Sequence, residues 1–334
     1  MTIRVAVVGL GNIGKNHSRC YQADDRSELV AVCDAVPEVA KKAGESLGVP
    51  SFNSVAELLA ADLGIDAVSV CTAGVENGGD HYAPTMELLR AGMPVLGEKP
   101  ISNRVEEAKE MVALAAEMGI PYGINLNHRF TPAARRARDW VDEGRIGELN
   151  ICNMTMWINN PNESSPHFHM RALHPHSIDV MRYFCGDVEK VQAFYKKGPG
   201  RKIWSNVQAN MLFRSGVIGH LTGSYDAGGS YGLETCEVVG SEGRIVISNA
   251  CERLTFFPRR AIATEAYDYL GGMRSFQETF ASRIGAWLSD LEAKVPPAEI
   301  DGKAADALAA QLVIEACIKS FETGTVVDVE EVAK

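Results

Sequence analysis

Apolar positions along the chain follow two different periods. In the first 125 residues, short unbroken apolar runs occur at Ile3–Val8, Leu29–Cys33, Ala67–Cys71 and Pro94–Leu96. A run apolar on both faces is the mark of a strand covered on both sides, as in a parallel sheet. Between the runs, apolar residues recur every three to four positions, predicting helices at Ile13–Tyr21, Pro37–Leu47, Val55–Ala60, Thr85–Ala91 and Val105–Met118. Pro121–Leu126 adds a further strand, for a sheet of about six. Alternation at this spacing predicts a doubly wound parallel sheet of the Rossmann type, with helices on both faces.

Beyond residue 126 the pattern changes. A helix at Thr131–Glu143 precedes a strand at Asn150–Trp157, a loop rich in Pro, Asn, Ser and His from Asn159 to Leu173, and a helix at His174–Cys185. Alternating runs then follow at Val188–Tyr195, Ser205–Phe213, Val217–Tyr225, Thr235–Gly240, Arg244–Ser248 and Arg253–Phe257, and helices at Arg274–Glu292 and Gly302–Glu322 close the chain. Alternation means one wet face. The expectation is an α+β domain with an open, largely antiparallel sheet and helices on one face. The domains are thus read as 1–125 and 126–334, with no internal repeat or low-complexity stretch.

The first strand runs into Gly9-Leu-Gly11-Asn12-Ile13-Gly14 and then a helix. Gly9 permits the tight turn, Gly11 lets backbone approach a pyrophosphate, and Gly14 lets helix and strand pack closely. Backbone N–H groups at Asn12 and Ile13 then face the phosphates. Asp34 ends the second strand, 20 residues after Gly14, where a carboxylate accepts hydrogen bonds from ribose hydroxyls and repels a 2′-phosphate. No Arg follows it directly, so the predicted cofactor is NAD, not NADP.

Gly97-Glu98-Lys99-Pro100 lies at the carboxyl end of another predicted strand, where open α/β sheets bind ligands. Pro100 keeps Lys99 out of helical geometry. A buried lysine there has a lowered pKa and can exchange a proton with a substrate hydroxyl. A surface Glu–Lys pair before a helix is the plainer alternative.

Composition narrows the partners. The 334 residues carry 33 basic and 43 acidic side chains, a net charge of −10, which argues against nucleic acid. No apolar run reaches the ~20 residues of a membrane span, and the first residues lack a signal-peptide layout. Eight cysteines form no CxxC pair, so they read as reduced thiols in a cytoplasmic protein. The basic run Lys196–Lys202 reads as a solvated turn, and Met181, Tyr183 and Phe184 as core.

Gly9–Gly14, Glu98-Lys99-Pro100 and His176-Ser-Ile-Asp179 together resemble the glucose–fructose oxidoreductase / inositol dehydrogenase (Gfo/Idh/MocA) family, along essentially the whole chain. The resemblance implies a sugar or cyclitol substrate in a cleft between a Rossmann and an open-sheet domain, and Lys99 beside the nicotinamide. It implies cofactor contacts at Thr72, His81 and Glu98, substrate contacts at Asn127, His128, Asn160 and Tyr231, and dimers or tetramers. Two features depart from the family pattern. Ala172 replaces an Asp and His174 a Gly ahead of His176, and the loop between Thr72 and His81 is longer and richer in glycine.

Four histidines crowd into ten residues: His167, His169, His174 and His176. His176 reads as a general base or acid, with Asp179 one helical turn on, orienting a polar network or binding a substrate hydroxyl. His169 reads as a substrate contact or a structural histidine, and Arg171 as a clamp for an oxygen-rich substrate or as an ion pair. A metal bound by the four histidines is the alternative, though none pairs at H-x-x-x-H spacing; no metal is predicted. The function expected is NAD-dependent oxidation of a secondary hydroxyl. Its rivals are a non-catalytic NAD-binding redox sensor or regulator, and a metal-dependent enzyme.

Overall fold

The structure, a computed structural model, describes residues 2–227, 233–248, 252–260, 265–268 and 278–334. It divides into two units. The first comprises Met1–Leu126 with Phe280–Leu308, and the second Asn127–Thr279 with Ala309–Lys334.

In the first unit, β1 (Ile3–Val8), α1 (Asn12–Ala23), β2 (Ser27–Cys33), α2 (Pro37–Leu47), β3 (Ser51–Phe52), α3 (Val55–Ala60) and β4 (Ala67–Val70) alternate. They continue into α4 (Tyr82–Arg90), β5 (Val95–Gly97), α5 (Val105–Met118) and β6 (Tyr122–Ile124). The sheet order is β3-β2-β1-β4-β5-β6, parallel throughout. This is the Rossmann order, with its topological switch between β1 and β4. Apolar side chains fill both faces. Val68, Val70, Leu88, Met111 and Ile124 belong to one cluster, and Val5, Val7, Leu10, Leu96 and Tyr21 to another.

The second unit begins with α6 (Pro132–Asp142), whose Thr131 Oγ1 accepts the Ala134 N–H at 3.3 Å. It continues with β7 (Leu149–Trp157), α7 (Phe168–Cys185), β8 (Val188–Lys196), β9 (Asn206–Phe213), β10 (Ile218–Ser224) and β11 (Leu233–Gly240). The meander ends with β12 (Gly243–Ser248), β13 (Arg253–Pro258) and β14 (Glu265–Asp268); after it α8 (Glu278–Glu292) and the start of α9 (Ala304–Thr323) belong to the first unit from Phe280 to Leu308, and the rest of α9, β15 (Val327–Asp328) and α10 (Glu330–Ala333) to the second. The described strands lie in the order β14-β13-β12-β11-β7-β10-β9-β8-β15. Only the β7–β10 pair is parallel, and the other neighbours run antiparallel. Val207, Ala209, Met211 and Phe213 of β9 turn inward and join Met181 and Phe184 of α7 and Val313 and Ile314 of α9 in one core.

Three readings are corrected. The histidine-rich segment is helical from Phe168, not from His174, because Met170, Leu173, Ile178, Met181 and Phe184 form a buried helical stripe that outweighs Pro175. Phe280–Leu308 belongs to the first unit, although the sequence pattern placed all of 126–334 in the second. Ile284, Trp287, Leu288 and Ile300 pack with Val5, Val7 and Leu10, and Arg283 donates to the Ile124 and Gly302 carbonyls. An apolar stripe does not state which core it joins. Finally, β3, β14 and β15 were not foreseen, being two to four residues long. The start of the predicted helix Arg274–Glu292, up to residue 277, lies outside the described residues.

Candidate active site

The glycine turn has the shape its sequence predicts. Gly9 takes φ +87°, and a Cβ there would lie 2.4 Å from the Thr72 backbone nitrogen. A Cβ on Gly14 would lie 1.8 Å from the Gly9 carbonyl oxygen, whereas one on Gly11 would meet nothing within 4 Å. Gly11 is the N-cap of α1 and no side chain caps the helix. The first N–H groups of α1, at Asn12, Ile13 and Gly14, therefore open onto a cradle without side chains, suited to a pyrophosphate. Asp34 borders it. Its Oδ2 accepts the Leu10 N–H at 2.7 Å and its Oδ1 the Val36 N–H at 2.9 Å. Both oxygens are aimed by the backbone and each keeps a lone pair for a ribose hydroxyl. The residues present fit a dinucleotide.

At the end of β5, Glu98 is buried and Lys99 partly buried. Burial pushes the Lys99 pKa down, while the charge of Glu98 pulls it back up. The side chains of Thr72 and His81, expected to touch the cofactor, pin their own loop. His81 Nδ1 lies 2.7 Å from the Pro100 carbonyl and Nε2 2.8 Å from the Thr72 carbonyl, and Thr72 Oγ1 donates to the Asp80 carbonyl at 2.7 Å. The long glycine-rich loop is thus tied at both ends to the strand termini that flank Lys99.

The second unit gathers a different set. The His128 ring stacks on that of His176, with centroids 4.1 Å apart and planes 16° apart. His128 Nδ1 lies 2.7 Å from Glu234 Oε1. Next in sequence, Arg129 donates from Nε to Asp179 Oδ2 at 2.7 Å, and from Nη2 to Oδ1. Asn127 Nδ2 donates to Thr279 Oγ1 at 2.6 Å.

Both halves now identify the chain. A family model described as an oxidoreductase family with an NAD-binding Rossmann fold matches residues 3–126, and one for the GFO/IDH/MocA C-terminal domain matches 134–246. The chain belongs to the Gfo/Idh/MocA oxidoreductases. It is an NAD-binding oxidoreductase of the inositol and sugar dehydrogenase family. Inositol 2-dehydrogenase of Rhizobium meliloti (strain 1021) is 26% identical over 336 residues, 92% of this chain and 95% of that one. The 1,5-anhydro-D-fructose reductase of Ensifer adhaerens is 32% identical over 216 residues, 60% of this chain and 61% of that one. A crystal structure of an oxidoreductase from Agrobacterium radiobacter in complex with NAD+, L-tartaric acid and magnesium superposes with a TM-score of 0.87 at 20% identity, covering 99% of each chain.

The other predicted residues of this Gfo/Idh/MocA chain that the structure describes in the second unit have partners of their own. His169 and His174 face each other, Nε2 to Nε2 at 3.1 Å, and His174 Nδ1 lies 3.0 Å from Ser177 Oγ. Burial pushes His169 down to about 3 and His174 well below its usual value. Both are buried and neutral, so His169 is a core histidine. His167 lies 3.5 Å from Glu322. Arg171 is held in a fork by Glu315, both bonds 2.8 Å, which makes it an ion pair within the unit. Asp179 is likewise engaged by Arg129. Asn160 is tied to Asn162, Tyr225 and Arg201 in its loop. Tyr231 lies outside the described residues. Among the described residues no three His, Cys, Asp or Glu side chains could hold a metal, and no helix is long and apolar enough to cross a membrane.

Sequence reasoning missed Glu234 and Arg129. Glu234 is a buried acid in the apolar strand β11, which is itself a signal, because an acid is not buried without a partner.

Proposed function

We propose that this protein is an NAD-dependent dehydrogenase that oxidises a secondary hydroxyl of a cyclitol, sugar or glycoside. The observation that carries the reading is Lys99. It stands partly buried at the carboxyl end of β5, its pKa lowered by burial, next to a buried carboxylate. A lysine lowered in this way gives up its proton more readily than one in water and can exchange it with a substrate hydroxyl. The names of the relatives support the substrate class, since an inositol 2-dehydrogenase and an anhydro-fructose reductase are among them.

NAD, when bound, supplies the acceptor for hydride. The glycine turn and the N-terminus of α1 would hold its pyrophosphate, and Asp34 its ribose hydroxyls. Lys99 and His176 are assigned to take or relay the proton of the reacting hydroxyl, Lys99 dominating, and the Lys99 that has taken it stabilises the charge that develops on the oxygen. The missing acid at Ala172 leaves this histidine oriented by its stack on His128, which Glu234 in turn holds.

The test is NADH formation across a panel of inositols, free sugars, glycosides and anhydro sugars, with Lys99→Ala alongside. Lys99→Ala should lose activity ~10²–10⁴-fold, the usual worth of a positioned acid–base group. A Lys99→Ala protein with full turnover, or a wild type that binds NAD and turns over nothing in the panel, sinks the reading; the latter favours a sensor.

A further inference from the structure

Tyr21, Ser69, His17 and Asn125 have no part in the chemistry above, yet they form a continuous buried polar chain. Tyr21 Oη lies 2.7 Å from Ser69 Oγ, Ser69 Oγ 3.2 Å from His17 Nδ1, and His17 Nε2 3.0 Å from Glu98 Oε1. Asn125 Nδ2 donates to the same Glu98 oxygen at 2.5 Å, and its backbone N–H bonds the Gly97 carbonyl at 2.8 Å. Apart from Glu98, which is 7% exposed, none of these residues exceeds 1%.

A Rossmann core has no structural need of such a chain. Apolar side chains of similar size would fill the space without the cost of burying polar groups. His17 Nε2 donates to Glu98, and Ser69 and Tyr21 continue the chain behind its Nδ1. Tyr21 and His17 sit on α1, Ser69 on β4, Glu98 just past β5 and Asn125 just past β6. The chain therefore starts on the helix whose N-terminus faces the cofactor cradle and ends on the neighbour of Lys99.

We propose that His17, seconded by Asn125, is a positioning residue that holds the Glu98 carboxylate in place beside Lys99 and so governs how tightly Lys99 keeps its proton. Burial alone would push the Glu98 pKa up. The hydrogen bond from His17 and its interaction with that ring, the Asn125 hydrogen bond and the Lys99 charge more than offset this, and Glu98 titrates below the usual carboxylate range. Lys99 in turn depends on Glu98, whose charge is what counters its burial. Other titratable groups facing the chain are Cys20, Cys71 and Tyr21, all kept neutral by burial, and Arg283, which acts on Tyr21. If His17 is removed, the Glu98 carboxylate loses one of the two bonds that hold it in place, its charge stands less firmly beside Lys99, and Lys99 should give up its proton more readily.

The inference draws its importance from the dehydrogenase reading, but its test needs no substrate. Protein made with isotope-labelled lysine is titrated through the alkaline range by NMR, and the Lys99 ε-methylene signal is assigned by its loss in Lys99→Arg. In His17→Ala the Lys99 midpoint should fall by about one pH unit or more. Asn125→Ala should move it the same way by less. His17→Gln, whose amide can donate to Glu98, should restore most of the shift. Glu98→Gln should give the largest fall, and His17→Ala should add little on top of it. An unmoved midpoint in both His17→Ala and Asn125→Ala overturns the proposal. Should His17→Ala not fold, Asn125→Ala and Ser69→Ala decide it by the same readout. Failure of the dehydrogenase reading shows separately, as full turnover in Lys99→Ala whatever the titration gives.

Discussion

Placing alanine at Gly14 and at Gly11, one at a time, separates the packing of the cofactor turn from its binding function. At Gly14 the new Cβ would stand 1.8 Å from the Gly9 carbonyl oxygen, where real contacts are not closer than 3.0 Å, so α1 and the turn must part by more than 1 Å. Both sides of the clash are backbone, and no side-chain rotation relieves it. Overpacking of this kind costs ~1–3 kcal/mol, against at most ~1 kcal/mol gained by alanine over glycine in a helix. A net loss of about 1–2 kcal/mol lowers the melting temperature of a unit this size by ~2–8 °C. At Gly11 the backbone has φ −64° and the Cβ meets nothing. Alanine is the poorer N-cap by up to ~1 kcal/mol, but it lowers the entropy of the unfolded chain by a similar ~0.4–1 kcal/mol, so Gly11→Ala should melt within about 2 °C of wild type. Its methyl group would occupy the cradle, and NAD affinity should fall tenfold or more, ~1.4 kcal/mol. Melting curves with and without NAD measure both. If Gly11→Ala binds NAD as wild type does, the open space is not where the pyrophosphate lies; if Gly14→Ala melts unchanged, the packing argument is wrong.

Asp34→Ala should weaken NAD and narrow its advantage over NADP, and a wild-type preference for NADP in a binding titration refutes that role. His169 and His174 are neutral in the fold, with His169 at about 3, so the unfolded chain binds protons below ~6.5 that the folded one does not. Stability is unaffected above that pH and falls below it, by roughly 2 kcal/mol from His169 at pH 5, with His174 acting in the same direction. Melting curves from pH 7 to 5 should show this fall, and His169→Phe should flatten it; a flat wild-type profile contradicts the burial argument. On the outer face of the second sheet Phe194 is 64% and Ile218 56% exposed, and we propose that this face joins copies of the chain as a dimer or tetramer. Light scattering at micromolar concentration should show more than a monomer, and Phe194→Lys with Ile218→Lys should lower the mass.

What was legible in the sequence is what local physics determines. The helices Pro37–Leu47, Val55–Ala60 and Val105–Met118 match their predicted bounds residue for residue. Pro37 at a first turn, Ser54 accepting the Glu57 N–H, and left-handed Gly48 and Gly119 mark their ends. The glycine turn was equally readable, because steric demand is written in the glycines. The partners of the site were not. His128 meets Glu234 106 residues away, and Arg129 meets Asp179 50 residues away, and no local pattern encodes such pairings. Arg171 looked like a ligand for the same reason, since Glu315 lies 144 residues on.

The return of Phe280–Leu308 to the first unit sets a schedule for synthesis. When a ribosome has released residue 126, all six strands of the Rossmann sheet exist, but Trp287, Leu288 and Ile300, which cover Val5, Val7 and Leu10, do not. At ~5–20 residues per second the missing cover is complete ~9–35 s later. During that interval the nascent sheet presents an apolar face to its surroundings, a natural client for a chaperone. A gene cut after residue 126 makes that interval permanent.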